Sequence, residues 1–149
     1  MSFLRALRDA LRYACLALLL AAAAAHAAKK NEETDWLSVA ETLLRDGALD
    51  RADAALGNVD PAAEGVDVAR YWTVRGLLAM ARNEMPAAIE AFEKGMAAGT
   101  VDPLVQLYLA QAYFAQQDWA KTVATIERAG DSLADIAGAW SMRAHANWM

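Results

Sequence analysis

Few side chains in this 149-residue sequence are equipped for catalysis. Beyond position 27 there is one histidine, His145, and no cysteine. A histidine acting as base or nucleophile needs a partner to orient it and a second group to share the proton. Nothing near His145 in the sequence supplies either, so it is expected to be a solvated or groove-edge side chain. The glutamates Glu41, Glu84, Glu90 and Glu93 fall on predicted exposed faces, where a solvated carboxylate is the ordinary outcome. No glycine-rich loop follows a predicted strand, and no run of His, Cys, Asp and Glu has metal-ligand spacing. The reading is therefore a protein that is not an enzyme and that carries neither metal nor cofactor. What it has in quantity is apolar surface, at 57% hydrophobic residues.

Charge and address narrow the partners. Arg5, Arg8 and Arg12 precede an alanine- and leucine-rich run from Ala14 to Ala25, and Ala25-His26-Ala27 follows. A basic start, an apolar middle and a small-x-small site are the three parts of a secretory signal. The apolar run is shorter than the roughly 20 residues that a spanning helix needs. Cleavage is expected after Ala27, and any membrane contact is expected through this leader alone, if it stays attached. The single cysteine, Cys15, lies inside it and lacks the apolar-small-small run that precedes a lipidated cysteine. A thiol-free remainder suits an oxidising compartment, and the simplest destination is a bacterial periplasm. Removing residues 1–27 takes away three arginines and Asp9, which leaves 11 basic and 18 acidic side chains and a net charge near −7, against −5 for the whole chain. Such a surface repels phosphate backbones, so nucleic acid is not an expected partner.

The elements that position these residues are visible first in Tyr71 to Gly99. Apolar residues recur there at spacings of three and four, in two stretches broken by Asn83-Glu84-Met85. That is a helical hairpin with an oily face on each helix and too little chain to cover both. The same pattern recurs along the chain. Trp36, Trp72, Gln106 and Trp140 share one phase, at separations of 36, 34 and 34 residues. Four residues after each come Ala40, Gly76, Ala110 and Ala144. Ala52, Ala88 and Thr122 stand sixteen past the first three markers, and Leu56, Phe92 and Ile126 four beyond those. A period near 34 built of helix-turn-helix units is the signature of a helical solenoid.

In these positions the chain resembles the tetratricopeptide repeat family. Trp72, Gly76, Ala88, Phe92 and Gly95 carry the likeness in the second unit; Leu109, Ala110, Tyr113, Ala129 and the turn Gln117-Asp118-Trp119 carry it in the third. The likeness covers the chain from about Asp35. It implies an all-α fold of helical hairpins stacked into a right-handed solenoid of about three and a half repeats, residues 35–149, behind a signal peptide at 1–27 and a polar lead-in at 28–34. The units are expected at about 35–61, 67–99, 102–130 and 132–149, the last incomplete. Two departures stand out: Gly57-Asn58-Val59-Asp60-Pro61 ends the second helix of the first unit early, and the fourth unit stops at Met149 before any second helix with the phase still correct, so continuation of the array is expected.

Local signals agree with these bounds. Thr34 or Asp35 can cap the first helix, Asp46-Gly47 turns it, Pro86 suits the first turn of its helix, and Asp102-Pro103 opens the third unit. Gly76 is expected to face Ala88 so that two backbones can approach. Trp119 is expected to cover the seam between units, and the last helix to start at Asp131 or Ser132.

The resemblance implies that the first helix of each hairpin lines a concave groove. Carried over position by position, that surface holds Leu37, Glu41 and Leu44; Arg70, Thr73, Leu77 and Met80; Leu104, Leu107, Gln111 and Phe114; and Ser141, His145 and Trp148. The family's carboxylate clamp uses lysine, asparagine and arginine where this chain has Leu37, Glu41, Thr73 and Leu107, so no clamp is expected. A strip of Leu, Met and Phe with a few polar groups suits an apolar peptide or helix face instead. The same leucines would also serve as packing between units. The functional expectation is an exported scaffold that holds another protein or peptide. Two competitors stay open: self-association through Trp140, Trp148 and Met149, and a substrate-recruiting region of a longer envelope enzyme.

Overall fold

The computed structural model describes residues 34–100, 102–133 and 136–149, and every regular element among them is helical. The leader and the cleavage point after Ala27 lie outside the described residues. The helices are α1 (Trp36–Arg45), α2 (Leu49–Leu56), α3 (Val68–Ala81), α4 (Met85–Ala97), α5 (Pro103–Ala115), α6 (Trp119–Ala129) and α7 (Ala137–Trp148), with a short 3-10 turn, Gly130–Leu133, before the last. Among the described residues no helix is long and apolar enough to cross a membrane.

Three hairpins, α1–α2, α3–α4 and α5–α6, are closed by one turn repeated three times. Gly47, Asn83 and Gln117 adopt positive φ of 74°, 62° and 60°. At each, the amide of that residue donates to a carbonyl three back (Leu44, Met80, Phe114) and the next amide to one five back (Leu43, Ala79, Tyr113). This double closure satisfies the orphan carbonyls of the first helix and reverses the chain. The left-handed residue thus recurs with the same period as the tryptophan markers. Asn83 and Gln117 take up a conformation that glycine would adopt without steric cost.

Proline and aspartate set the helix starts. Asp67 accepts from the Arg70 amide at 2.9 Å, Asp102 from Leu104 at 2.9 Å, and Asp118 from Lys121 at 3.1 Å. Pro86 and Pro103 fall in first turns, where a missing amide breaks no hydrogen bond. The last helix begins later than the sequence suggested. Gly130, at φ 56°, ends α6, the chain dips to bury Leu133, and α7 starts at Ala137 rather than at Asp131 or Ser132.

Packing is modular. Each hairpin shares its core with the helix that follows it, which gives three clusters: Leu37, Leu56 and Val74 lie in the first, Phe92, Leu109 and Tyr113 in the second, Leu107, Ile126 and Leu133 in the third. Contacts run within each hairpin, from each hairpin to the next helix, and along the series α1, α3, α5, α7. Many of the in-phase positions after the markers are buried. Ala40, Ala110, Ala52, Ala88 and Thr122 have no exposed surface, and Leu56, Phe92 and Ile126 are at most 6% exposed. Gly76 leaves room for a close approach from the second helix of its hairpin. A Cβ there would run into the Phe92 ring, whose atoms lie nearest to it.

Candidate functional site

The odd-numbered helices carry the rows that the sequence assigned to a binding surface. The Asp67 cap fixes the first turn of α3 and with it Arg70. Arg70 donates through Nε and Nη2 to the two Glu41 oxygens, both at 2.7 Å, and through Nη2 to Ser38 Oγ at 2.8 Å. A planar guanidinium matches a carboxylate in this two-pronged geometry. Glu41 is therefore not a solvated carboxylate: two row residues from neighbouring helices neutralise each other. At the other end Phe114 of α5 meets His145 of α7, with ring centroids 5.3 Å apart and edge to face. Trp119 completes the group, 5.2 Å from Phe114 and 5.6 Å from His145. It covers the seam between the third hairpin and α7, as its position suggested.

The middle of the surface is apolar and half-covered. Leu77 and Met80 are half-buried against the second cluster, and Gln111 is half-buried on α5. Thr73 donates to the Ala69 carbonyl at 2.9 Å and lies 3.5 Å from the Thr100 hydroxyl. Two assigned residues are not on the surface. Leu37 and Leu107 are each 6% exposed, inside the first and third clusters. Their leucine chemistry suited either role, and packing between units took them.

Two carboxylates elsewhere are also engaged. Glu93 accepts the Tyr113 hydroxyl proton, and burial followed by that hydrogen bond pushes the phenol well above its ordinary range. Glu90 accepts from Lys94 at 2.7 Å, which holds its carboxyl below the usual value.

One cluster escaped the sequence reading. Asp53 of α2 receives Arg75 at 2.6 Å and Arg82 at 2.9 Å, and Arg82 also reaches Asp50 at 3.0 Å. The hydrogen bond from Arg82, with both positive charges, lowers the Asp53 pKa. A cleft of about 370 Å³ opens beside it, lined in part by Trp72, Arg75, Arg82, Glu90 and Lys94, with the Lys94 ammonium 4.4 Å from the Trp72 ring centre. The signal was present: Asp50 and Asp53 are one turn apart, and Arg75 on α3 and Arg82 just past its end are two turns apart. These charges cancel in place, which makes the cluster a fastener between helices. Among the described residues no three His, Cys, Asp or Glu side chains converge to hold a metal ion.

Compared with protein-family models, curated proteins and solved structures, the chain matches none.

Proposed function

We propose that this chain is a tetratricopeptide-like scaffold, exported through its leader, that holds an apolar peptide or helix of another envelope protein on the face formed by α1, α3, α5 and α7. One observation carries the reading. Residues assigned to that face through the family resemblance touch across helix boundaries: Glu41 meets Arg70, 29 positions away, and Phe114 meets His145, 31 positions away. The rows of neighbouring helices therefore adjoin at both ends of the series.

The chemistry of the face suits such a guest. The Arg70–Glu41 pair presents no net charge, and Leu77 and Met80 leave apolar area for a side chain to cover. A thioether adapts to partners of different shape. Polar edges at Thr73, Gln111 and His145 can orient a peptide backbone without demanding one sequence. Peptides selected from a displayed random library test this. Selected peptides should be rich in apolar residues, and Leu77→Glu with Met80→Glu should abolish their binding while helicity is retained. A library that yields no binders, or binders indifferent to both changes, removes the proposal. Export is tested separately by the N-terminus of the protein recovered from cells, expected at Ala28.

A further inference from the structure

Threonines inside the helices follow one habit with one exception. Thr42, Thr73 and Thr122 each donate a hydroxyl proton to the carbonyl four residues back, at 2.9 Å. That bond is the ordinary outlet for a helical threonine. Thr125 of α6 makes no side-chain hydrogen bond among the described residues, although it is only 4% exposed. A buried hydroxyl without a partner gives up water and gains nothing in exchange. The one described polar side-chain atom that is both unpartnered and sealed from solvent belongs to Gln106, so the Thr125 hydroxyl still reaches open space. That space is a cleft of about 350 Å³, which Thr125 helps to line.

Helix α6 lays three polar groups along the cleft. Lys121, Thr125 and Arg128 follow one another at spacings of four and three, which put them on one helix face. Lys121 is held loosely, 3.4 Å from Asp118 and 5.1 Å from the centre of the Tyr113 ring. Among the described residues no carboxylate lies within ion-pair reach of Arg128. The carboxylate that lines the cleft, Glu93, already accepts the Tyr113 proton. Burial and then that bond raise the phenol, so Tyr113 stays protonated and keeps Glu93 engaged. Arg128 acts against the rise, which places its charge near the phenol. Met96, Leu109 and Ala124 supply the apolar part of the lining. The cleft beside Asp53 differs: Arg75 and Arg82 are taken up by Asp53, and Lys94, 34 positions before Arg128, by Glu90. The α6 cleft instead offers a guanidinium with no carboxylate and a hydroxyl with no acceptor.

We propose that this cleft binds a small organic monocarboxylate, with its charged end among Lys121, Thr125 and Arg128 and its hydrocarbon body against Met96, Leu109 and Ala124. A planar guanidinium grips a carboxylate through two parallel N–H donors. The threonine hydroxyl donates to the same group and recovers the bond that it lacks inside the protein. The volume is at the lower end for ligand pockets, which run from about 300 to 1,000 Å³, so the body is a short chain or a single ring. A single negative charge suits the site. Glu93 and Asp118 stand beside the two cations, and a doubly charged phosphate would meet twice the repulsion from them that a monoanion does. None of these residues belongs to the row assigned to a peptide, and the site is independent of that face.

Methyl-methionine NMR of the full chain titrated with hexanoate tests it. The Met96 methyl should shift saturably, while Met80, which does not line the cleft, stays in place. Hexanol has the same body without the charge, and inorganic phosphate has charge without the body; each should bind more weakly than hexanoate. Arg128→Gln should weaken hexanoate binding by about tenfold or more, the worth of a hydrogen bond to a charged group. Thr125→Val keeps the shape and removes the hydroxyl, which separates a ligand role from a structural one. It should weaken hexanoate binding several-fold and leave the urea midpoint unchanged or raised, because no internal hydrogen bond is lost. A Met96 methyl that does not move with hexanoate overturns the proposal. So does hexanol or phosphate that binds as well as hexanoate, or binding that survives both substitutions. A lower midpoint in Thr125→Val would give the hydroxyl an internal partner, and that overturns it too.

Discussion

The joint that attaches α3 to the first hairpin and the joint that attaches α7 to the third do the same task with different chemistry. The first is ionic: Arg70 grips Glu41, while Arg75 and Arg82 converge on Asp53. The second is aromatic, with Phe114, Trp119 and His145 in mutual edge-to-face contact. Beneath both lies the same arrangement of small and large buried residues, Ala40 with Leu56 in one and Ala110 with Ile126 in the other. The period dictates the spacing of small and large buried positions, and it leaves the surface of each joint free to vary. A repeat protein can therefore differ in salt and pH response from one end to the other, because each unit touches only its neighbours.

The largest expected effect comes from removing the packing that lies between the two joints. Phe92 is fully buried, so Phe92→Ala should cost about 3–5 kcal/mol in a urea titration, with loss of the cooperative transition if total stability is of similar size. Cutting the aromatic joint comes next. Trp119→Ala removes two ring contacts and should cost about 1–2 kcal/mol, by the same amount at low and high salt. The ionic joint gives less. The Asp53 side chain is 38% exposed, so Asp53→Asn should cost under about 1 kcal/mol, as water screens the pairs.

That smaller effect has two signatures which the aromatic joint lacks. It should shrink as salt shortens the screening length. It should also depend on pH in one direction. The Asp53 pKa is lowered in the folded state from an ordinary 3.8, so its contribution is complete above that value and is lost as pH falls below it. Wild type and Asp53→Asn should converge in stability in acid. If Trp119→Ala and Asp53→Asn respond alike to salt, the contrast between the joints fails. The smallest effect is at the third turn. Gln117 occupies positive φ, and Gln117→Gly should raise stability by up to about 1 kcal/mol by relieving the left-handed strain. Asn83→Gly should gain less, because asparagine tolerates that conformation better.

Much of the architecture was legible because period and burial are the same information. Gly76, Ala88, Phe92 and Ala110 stand in phase because two helices must approach there, so counting residues found the core. The turns at Asn83 and Gln117 were legible for the same reason. The surface was harder. Leu37 and Leu107 stood in the right phase for an open face, yet a leucine at a helix edge goes wherever apolar contact is available, and both were drawn into the core. Glu41 looked solvated because its partner is 29 positions away and only folding brings Arg70 beside it. The Asp53 cluster went unseen for that reason too. The late start of α7 follows from Leu133, whose burial takes up the residues that a helix from Asp131 would have used.

Methyl-methionine NMR of the folded chain with a selected apolar peptide addresses the odd-helix face most directly. Met80 lies on α3 at the middle of that face, whereas Met96 lies on α4 on the other layer, and both are half-buried. Titration should move the Met80 methyl resonance in proportion to bound peptide and leave Met96 in place. A peptide that shifts Met96 and leaves Met80 unmoved would contradict the account.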